Sequence, residues 1–155
     1  MYFITKKFKV PIGHRLSKHL GLCNNLHGHN LIICVELMGD KLNDNDMIID
    51  FSDLKKIVNT FLDDFDHSCL LNSNDITELS HCVSNNRKYL SFDNVDPTAE
   101  ILSKYLNLKI DNFLHREYGE NDFCCFSVTV WENEDSSAKY IDNDNVKVYL
   151  ETIGL

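Results

Sequence analysis

Nowhere in its 155 residues does the chain gather the roughly 20 consecutive apolar residues of a membrane span. Its first residues also lack the apolar core of a secretory signal peptide. Positive charge is scarce: 15 Lys and Arg stand against 24 Asp and Glu, a formal charge of −9. A nucleic-acid binder normally carries a basic patch or stripe, so the balance argues against that class. It leaves room for an anionic small substrate, because a few local cations outweigh a distant average. Repeats and low-complexity linkers are absent, and the length suits one domain, residues 1–155, with a real core. Six cysteines are present (23, 34, 69, 82, 124 and 125), but their spacing is irregular and two are adjacent, unlike a disulfide framework. Reduced thiols in a cytoplasmic compartment are expected.

What is present is mostly strand at the two ends and helix in the middle. Residues 2–10 and 31–38 have strand character, and the second (LIICVELM) is apolar on nearly both faces, so both must be covered. A helix is expected from about Ser52, an N-cap candidate, with Leu54, Ile57, Val58, Phe61, Leu62 and Phe65 forming one stripe. A second is expected from Asp96-Pro97-Thr98, with Asp as cap and a stripe through Leu102, Leu106, Ile110 and Phe113. Between them, residues 72–95 are polar and irregular, with one short strand at 88–92. The end returns to strands at 124–132, 138–141 and 146–152. This order predicts an α+β domain: an antiparallel sheet with helices on one face, and self-association to cover the other.

The densest chemical signal is Cys23-Asn-Asn-Leu-His27-Gly28-His29. In an extended chain, residues i and i+2 share a face about 7 Å apart, so two imidazoles can converge on one metal ion. His14, at the end of the preceding strand, is a candidate third ligand; His19 competes with it on spacing, and Cys23 is a further candidate. Three imidazoles with an open position make a catalytic zinc arrangement, whereas structural sites are closed by four ligands. Asp66-His67 pairs a carboxylate with an imidazole, a device that orients a histidine, although neighbours in a helix or strand point apart. Glu132 closes the strand CCFSVTVWE, and alternation sets it on one face with Phe126, Val128 and Val130. A carboxylate there needs a partner or the end of the strand. The adjacent NH and NH₂ of a pterin or guanine edge would be such a partner.

Six segments in order resemble the 6-pyruvoyl-tetrahydropterin and 6-carboxy-tetrahydropterin synthases: HRL (14–16), CNNLHGHN (23–30), MIIDFSDLK (47–55), FDHSCLLN (65–72), DPTAEILSKYL (96–106) and VWENEDSSAKY (130–140). The third and sixth look more like the bacterial 6-carboxy branch, which serves queuosine biosynthesis. The resemblance implies the T-fold: a four-stranded antiparallel sheet with two helices on one face, sheets of several subunits joining into a barrel. It implies a homo-oligomer, two stacked trimers, with active sites between subunits. It also implies that His14, His27 and His29 hold Zn²⁺, and that Cys23 is the catalytic base. Asp66 and His67 would relay protons, and Glu132 would anchor the pterin ring, with Thr98 and Glu100 in the same pocket. The implied substrate is 7,8-dihydroneopterin triphosphate, converted to 6-carboxy-tetrahydropterin with loss of acetaldehyde and triphosphate. Elimination of triphosphate alone, as in the pyruvoyl branch, is the alternative reaction. A zinc- and pterin-binding protein without turnover is the alternative of another class.

Overall fold

In a computed structural model, residues 1–119 and 123–154 are described. Strands β1 (Tyr2–His14) and β2 (His27–Gly39) form one long hairpin, paired antiparallel from Tyr2↔Gly39 to His14↔His27. Helix α1 (Phe51–Leu62), strand β3 (Ser68–Asn72), helix α2 (Ile76–Ser84) and strand β4 (Tyr89–Phe92) follow. The chain continues through α3 (Ala99–Tyr118), β5 (Phe123–Trp131), β6 (Ser137–Ile141) and α4 (Asn143–Thr152). No helix among the described residues is long and apolar enough to cross a membrane.

Among the described residues the sheet has six strands in the order β4-β3-β1-β2-β5-β6, where four were expected. Its antiparallel part, β1-β2-β5-β6, is the expected four-stranded unit. Two short strands extend it: β3 runs parallel to β1 through Ile12–His14 only, and β4 runs parallel to β3. Helices α1 and α3 lie on one face, as the stripes required. Leu54, Ile57, Val58 and Leu62 of α1, with Leu102, Leu106, Ile110 and Leu114 of α3, join Val10, Ile12, Leu31, Ile33, Val35 and Leu37 of the hairpin in one core.

Several local expectations are corrected. Asp50, not Ser52, caps α1, its side chain accepting from the Ser52 N–H. Helix α2 was not foreseen, because its apolar residues Ile76 and Val83 are exposed and only Cys82 is buried, leaving no stripe to see. Residues 146–152 form the greater part of α4 rather than a strand. Their alternation reads as extended, but Asp142 caps a helix there by accepting from the Asp144 N–H, and Asn145 bonds the Cys125 carbonyl. The rings of Tyr149 from α4, Phe3 and Phe126 then meet at 5.2–6.0 Å. The rest of the second sheet face is mixed rather than apolar: Ile32 and Cys34 are half-buried, and Lys139 and Ser127 both reach Glu36.

Asp96, expected as a helix cap, does something else: Thr98 caps α3 by accepting from Ile101 N–H. The Asp96 carboxylate accepts from Ser17 Oγ at 2.6 Å, Lys18 N–H at 2.8 Å and Asn72 Nδ2 at 2.9 Å. It fastens the hairpin loop to the sheet and to the start of α3. Burial opposes the charge, but these donors outweigh it and hold the carboxyl below its usual range. The folded-state value is therefore depressed, so the contribution is present above the unfolded carboxylate range and is lost as pH falls through the folded value. Asp96→Ala should destabilise the fold by about 2–3 kcal/mol at neutral pH, from charged hydrogen bonds lost and donors left bare. In urea melts, the gap between variant and wild type should shrink below about pH 4. A gap that does not change with pH would show that the Asp96 charge carries none of it.

Candidate metal centre and active site

The register of the hairpin assembles the cluster. His14 lies opposite His27 and Ile12 opposite His29, so the two strands deliver all three imidazoles to the helix-bearing face, just past the last core side chains. One nitrogen of each lies within 4.8 Å of the others, with ring centroids 4.5–5.1 Å apart. Gly28, between the two histidines of β2, suits the close pairing there: an added Cβ would sit 3.0 Å from the Ile12 carbonyl oxygen, a tight contact with a backbone atom.

Two backbone carbonyls fix the tautomers. His14 Nδ1 lies 3.0 Å from the Pro97 carbonyl and His27 Nδ1 lies 2.8 Å from that of Asn25. A carbonyl only accepts, so both Nδ1 atoms carry the proton and both neutral rings offer a lone pair at Nε2. Those two Nε2 atoms are 3.0 Å apart. Lone pairs that close repel unless a cation lies between them, and a histidine whose far nitrogen donates to a carbonyl is the usual metal-ligand arrangement. His14 is 1% exposed, and burial pushes its pKa down. The neighbouring His27 and His29 act the same way, against the Pro97 bond and the Glu132 charge. An imidazole kept neutral is the form that binds metal. The donor set is three nitrogens and no thiolate, which suits zinc with an exchangeable fourth position.

Of the remaining candidates, Glu132 has a direct contact with this cluster. His19 is exposed, its Nδ1 accepting from the Gly21 N–H, and it stands outside the cluster. Cys23 is a half-buried free thiol on a 3-10 turn (Leu22–Asn24), four residues before His27 and likewise outside the clustered donors. Glu132 stands just past the end of β5, 27% exposed, with Oε1 4.0 Å from His14 Nε2. Its alternation with Val128 and Val130 holds, but Phe126 drops out. A bulge opposite Glu36/Leu37 gives the inward position to Cys125. Thr98 follows the Pro97 whose carbonyl orients His14, and its hydroxyl is engaged in capping α3; Glu100 is exposed on the first turn of that helix.

Asp66 and His67 do bond one another, Nδ1 to Oδ1 at 3.0 Å, although sequence neighbours normally diverge. His67 has a φ of 56°, which turns its side chain back toward Asp66. Both are exposed, at 51% and 79% of their side chains for Asp66 and His67, and among the described residues neither bonds any member of the histidine cluster. The residues that orient the site without being foreseen are Asn25 and Pro97, which act through backbone carbonyls and leave no mark in residue type. Arg15, which stands in the HRL segment but was given no role there, pairs with Asp75, and the two join the loop holding Cys23 to α2.

Comparison with known proteins places this geometry in context. The sequence model of the family described as 6-pyruvoyl tetrahydropterin synthase matches residues 3–143. A 6-carboxy-5,6,7,8-tetrahydropterin synthase of Aquifex aeolicus is 28% identical over 159 aligned positions, covering 88% of this chain and 96% of its own. One of that name from Haemophilus influenzae is 44% identical over 72 residues, 44% of this chain and 51% of its own. Among solved structures, an uncharacterised protein of Wolinella succinogenes aligns over 92% of this chain and 98% of its own, with a TM-score of 0.75 at 20% identity. The Caenorhabditis elegans 6-pyruvoyl tetrahydropterin synthase aligns over 92% and 96%, with a TM-score of 0.65 at 21% identity. The shared fold is the T-fold.

If the three imidazoles form the metal centre, single substitutions His14→Ala, His27→Ala and His29→Ala should each remove most bound zinc from purified protein. His19→Ala should retain one equivalent per chain. Atomic absorption of dialysed samples decides it, and zinc loss from His19→Ala with retention in His14→Ala would reverse the assignment.

Proposed function

The chain belongs to the 6-pyruvoyl tetrahydropterin synthase family, a family of pterin synthases, and from that membership we propose that it is a zinc-dependent lyase of the 6-carboxy branch. The reaction is conversion of 7,8-dihydroneopterin triphosphate and one water to 6-carboxy-5,6,7,8-tetrahydropterin, with release of acetaldehyde and triphosphate, feeding 7-deazapurine synthesis. The observation that carries the reading is the convergence of three imidazoles, two of them oriented by backbone carbonyls, with a carboxylate 4.0 Å from His14. The names of the curated relatives support the 6-carboxy product. The free cysteines agree with a reducing, cytoplasmic setting.

His14, His27 and His29 would hold Zn²⁺, which when bound polarises the oxygens of a substrate side chain as a Lewis acid. The chain's own groups then divide the work. Glu132, half-buried beside His14, accepts the paired NH and NH₂ of the pterin and sets the ring against the cluster. Cys23 takes a proton from the substrate side chain as the general base. The Asp66 carboxylate holds His67 Nδ1–H, leaving Nε2 to give and take protons. Thr98 and Glu100, at the start of α3, would complete the same pocket.

The exposure of Asp66 and His67 suits a pocket completed by a second copy of the chain. So do the sheet edges. Among the described residues, β1 has no strand on its outer side from Tyr2 to Pro11, and β6 has none beyond it. Open edges of that kind are normally covered. Pairing one copy's β1 edge with the next copy's β6 edge would close a ring, and two stacked three-membered rings give the hexamer. Sedimentation at micromolar concentration should give a species several times 17.9 kDa. A fully active monomer would defeat both the ring and the shared site.

Incubation with 7,8-dihydroneopterin triphosphate, followed by mass analysis, should yield a 6-carboxy-tetrahydropterin and acetaldehyde. A product that keeps the three-carbon side chain would assign the chain to the pyruvoyl reaction instead. Cys23→Ala should retain zinc and lose at least ~100-fold in kcat, the usual range for a lost general base. Zinc loss in that variant would make Cys23 a ligand.

A further inference from the structure

The turn that carries Cys23 is held by an arginine whose every nitrogen is engaged. Arg15 Nε donates to the Asn24 carbonyl at 2.6 Å and to Asn24 Oδ1 at 3.0 Å, and one terminal nitrogen donates to the same Oδ1 at 2.8 Å. The other terminal nitrogen forks onto both oxygens of Asp75, at 3.0 and 2.9 Å, with Glu78 3.8 Å away. Asp75 is 7% exposed and caps α2, so the far end of the clamp is anchored in the fold. The next residue completes the grip: Leu16 N–H donates to the Cys23 carbonyl at 3.0 Å. Three consecutive residues therefore connect the two halves of the site. His14 belongs to the imidazole cluster, Arg15 holds Asn24, and Leu16 holds Cys23.

We infer that Arg15, anchored by Asp75, is a positioning residue that fixes the Cys23 turn relative to the histidine cluster. The inference rests on the reading of Cys23 as the base. A base displaced by about 1 Å can cost ~100-fold in rate with little change in binding. The fork geometry is what the task needs. One planar group spans two Asn24 oxygens and a bidentate carboxylate, and the single nitrogen of lysine cannot do this. Arg15 lies outside the main apolar core between α1, α3 and the hairpin, and a lysine in its place keeps a positive charge beside the nearly buried Asp75.

The test compares Arg15→Lys, which keeps the charge, and Asp75→Asn, which keeps a capping side chain for α2. Four quantities are measured on the full-length protein: zinc per chain, thermal midpoint, kcat with KM, and the alkylation rate of Cys23 by iodoacetamide. That last rate is followed by peptide mass analysis, with Cys34 as internal reference. Both variants should keep zinc and midpoint, lower kcat by about 10- to 100-fold, and leave KM within about twofold. The Cys23 alkylation rate should change several-fold relative to Cys34. Unchanged kcat in a zinc-replete Arg15→Lys protein would overturn the inference. So would a loss of kcat matched by an equal loss of zinc or folded protein. Should wild type show no turnover, or Cys23→Ala retain it, the functional reading fails on its own. Alkylation then still decides the clamp, with unchanged Cys23 reactivity overturning it and altered reactivity supporting it.

Discussion

The register of the β1–β2 hairpin is the constraint on which the rest depends. Thirteen residue pairs run without interruption from Tyr2↔Gly39 to His14↔His27. A slip of one residue would turn Leu31, Ile33, Val35 and Leu37, all fully buried, out of the core, and the same slip would rotate His27 and His29 away from His14. Core and cluster are thus specified by a single alternation. The apolar positions that hold the helices in place also hold the imidazoles in line, which couples the stability of the fold to the geometry of the site.

Two anchors carry that rigidity into the loop beyond the hairpin. The Asp96 carboxylate draws Ser17 and Lys18 to the start of α3, and the Pro97 carbonyl immediately after it orients His14. On the other side, Arg15 and Asp75 draw Asn24 to the start of α2. Both anchors are charge-assisted and half-buried or better, where such bonds are stronger than in open water. The starts of α2 and α3 thus hold the two sides of the loop that follows His14.

Much of this was legible from residue order. The stripes of α1 and α3, the alternation of β2 and β5, and the i, i+2 pair of histidines each express a period that backbone geometry imposes. What was not legible lacks such a period. Helix α2 buries only Cys82, so its apolar residues form no stripe. The valines and leucine of 146–150 alternate like a strand, and only the Asp142 cap and the Asn145 bond to Cys125 make them a helix. The bulge that removes Phe126 from the inward face depends on its partner strand. The left-handed turn at His67, which lets adjacent side chains bond, leaves no trace in residue type. Within the site, the His27 and His29 pair was visible in the spacing, but His14 and His19 competed there until the hairpin register set His14 beside the pair. Asn25 and Pro97 act through carbonyls that every residue possesses.

Two Nε2 atoms 3.0 Å apart, each on a ring whose Nδ1 faces a carbonyl, with a third imidazole beside them, form a site suited to a cation, and the donor set suits zinc. The proposed chemistry also requires that Cys23 stay outside the coordination sphere, free to move protons. X-ray absorption at the zinc K-edge of the loaded protein tests both at once. Three imidazole nitrogens and one further light atom are expected at about 2.0–2.1 Å, with no sulfur. A sulfur shell at about 2.3 Å would make Cys23 a ligand and contradict this assignment.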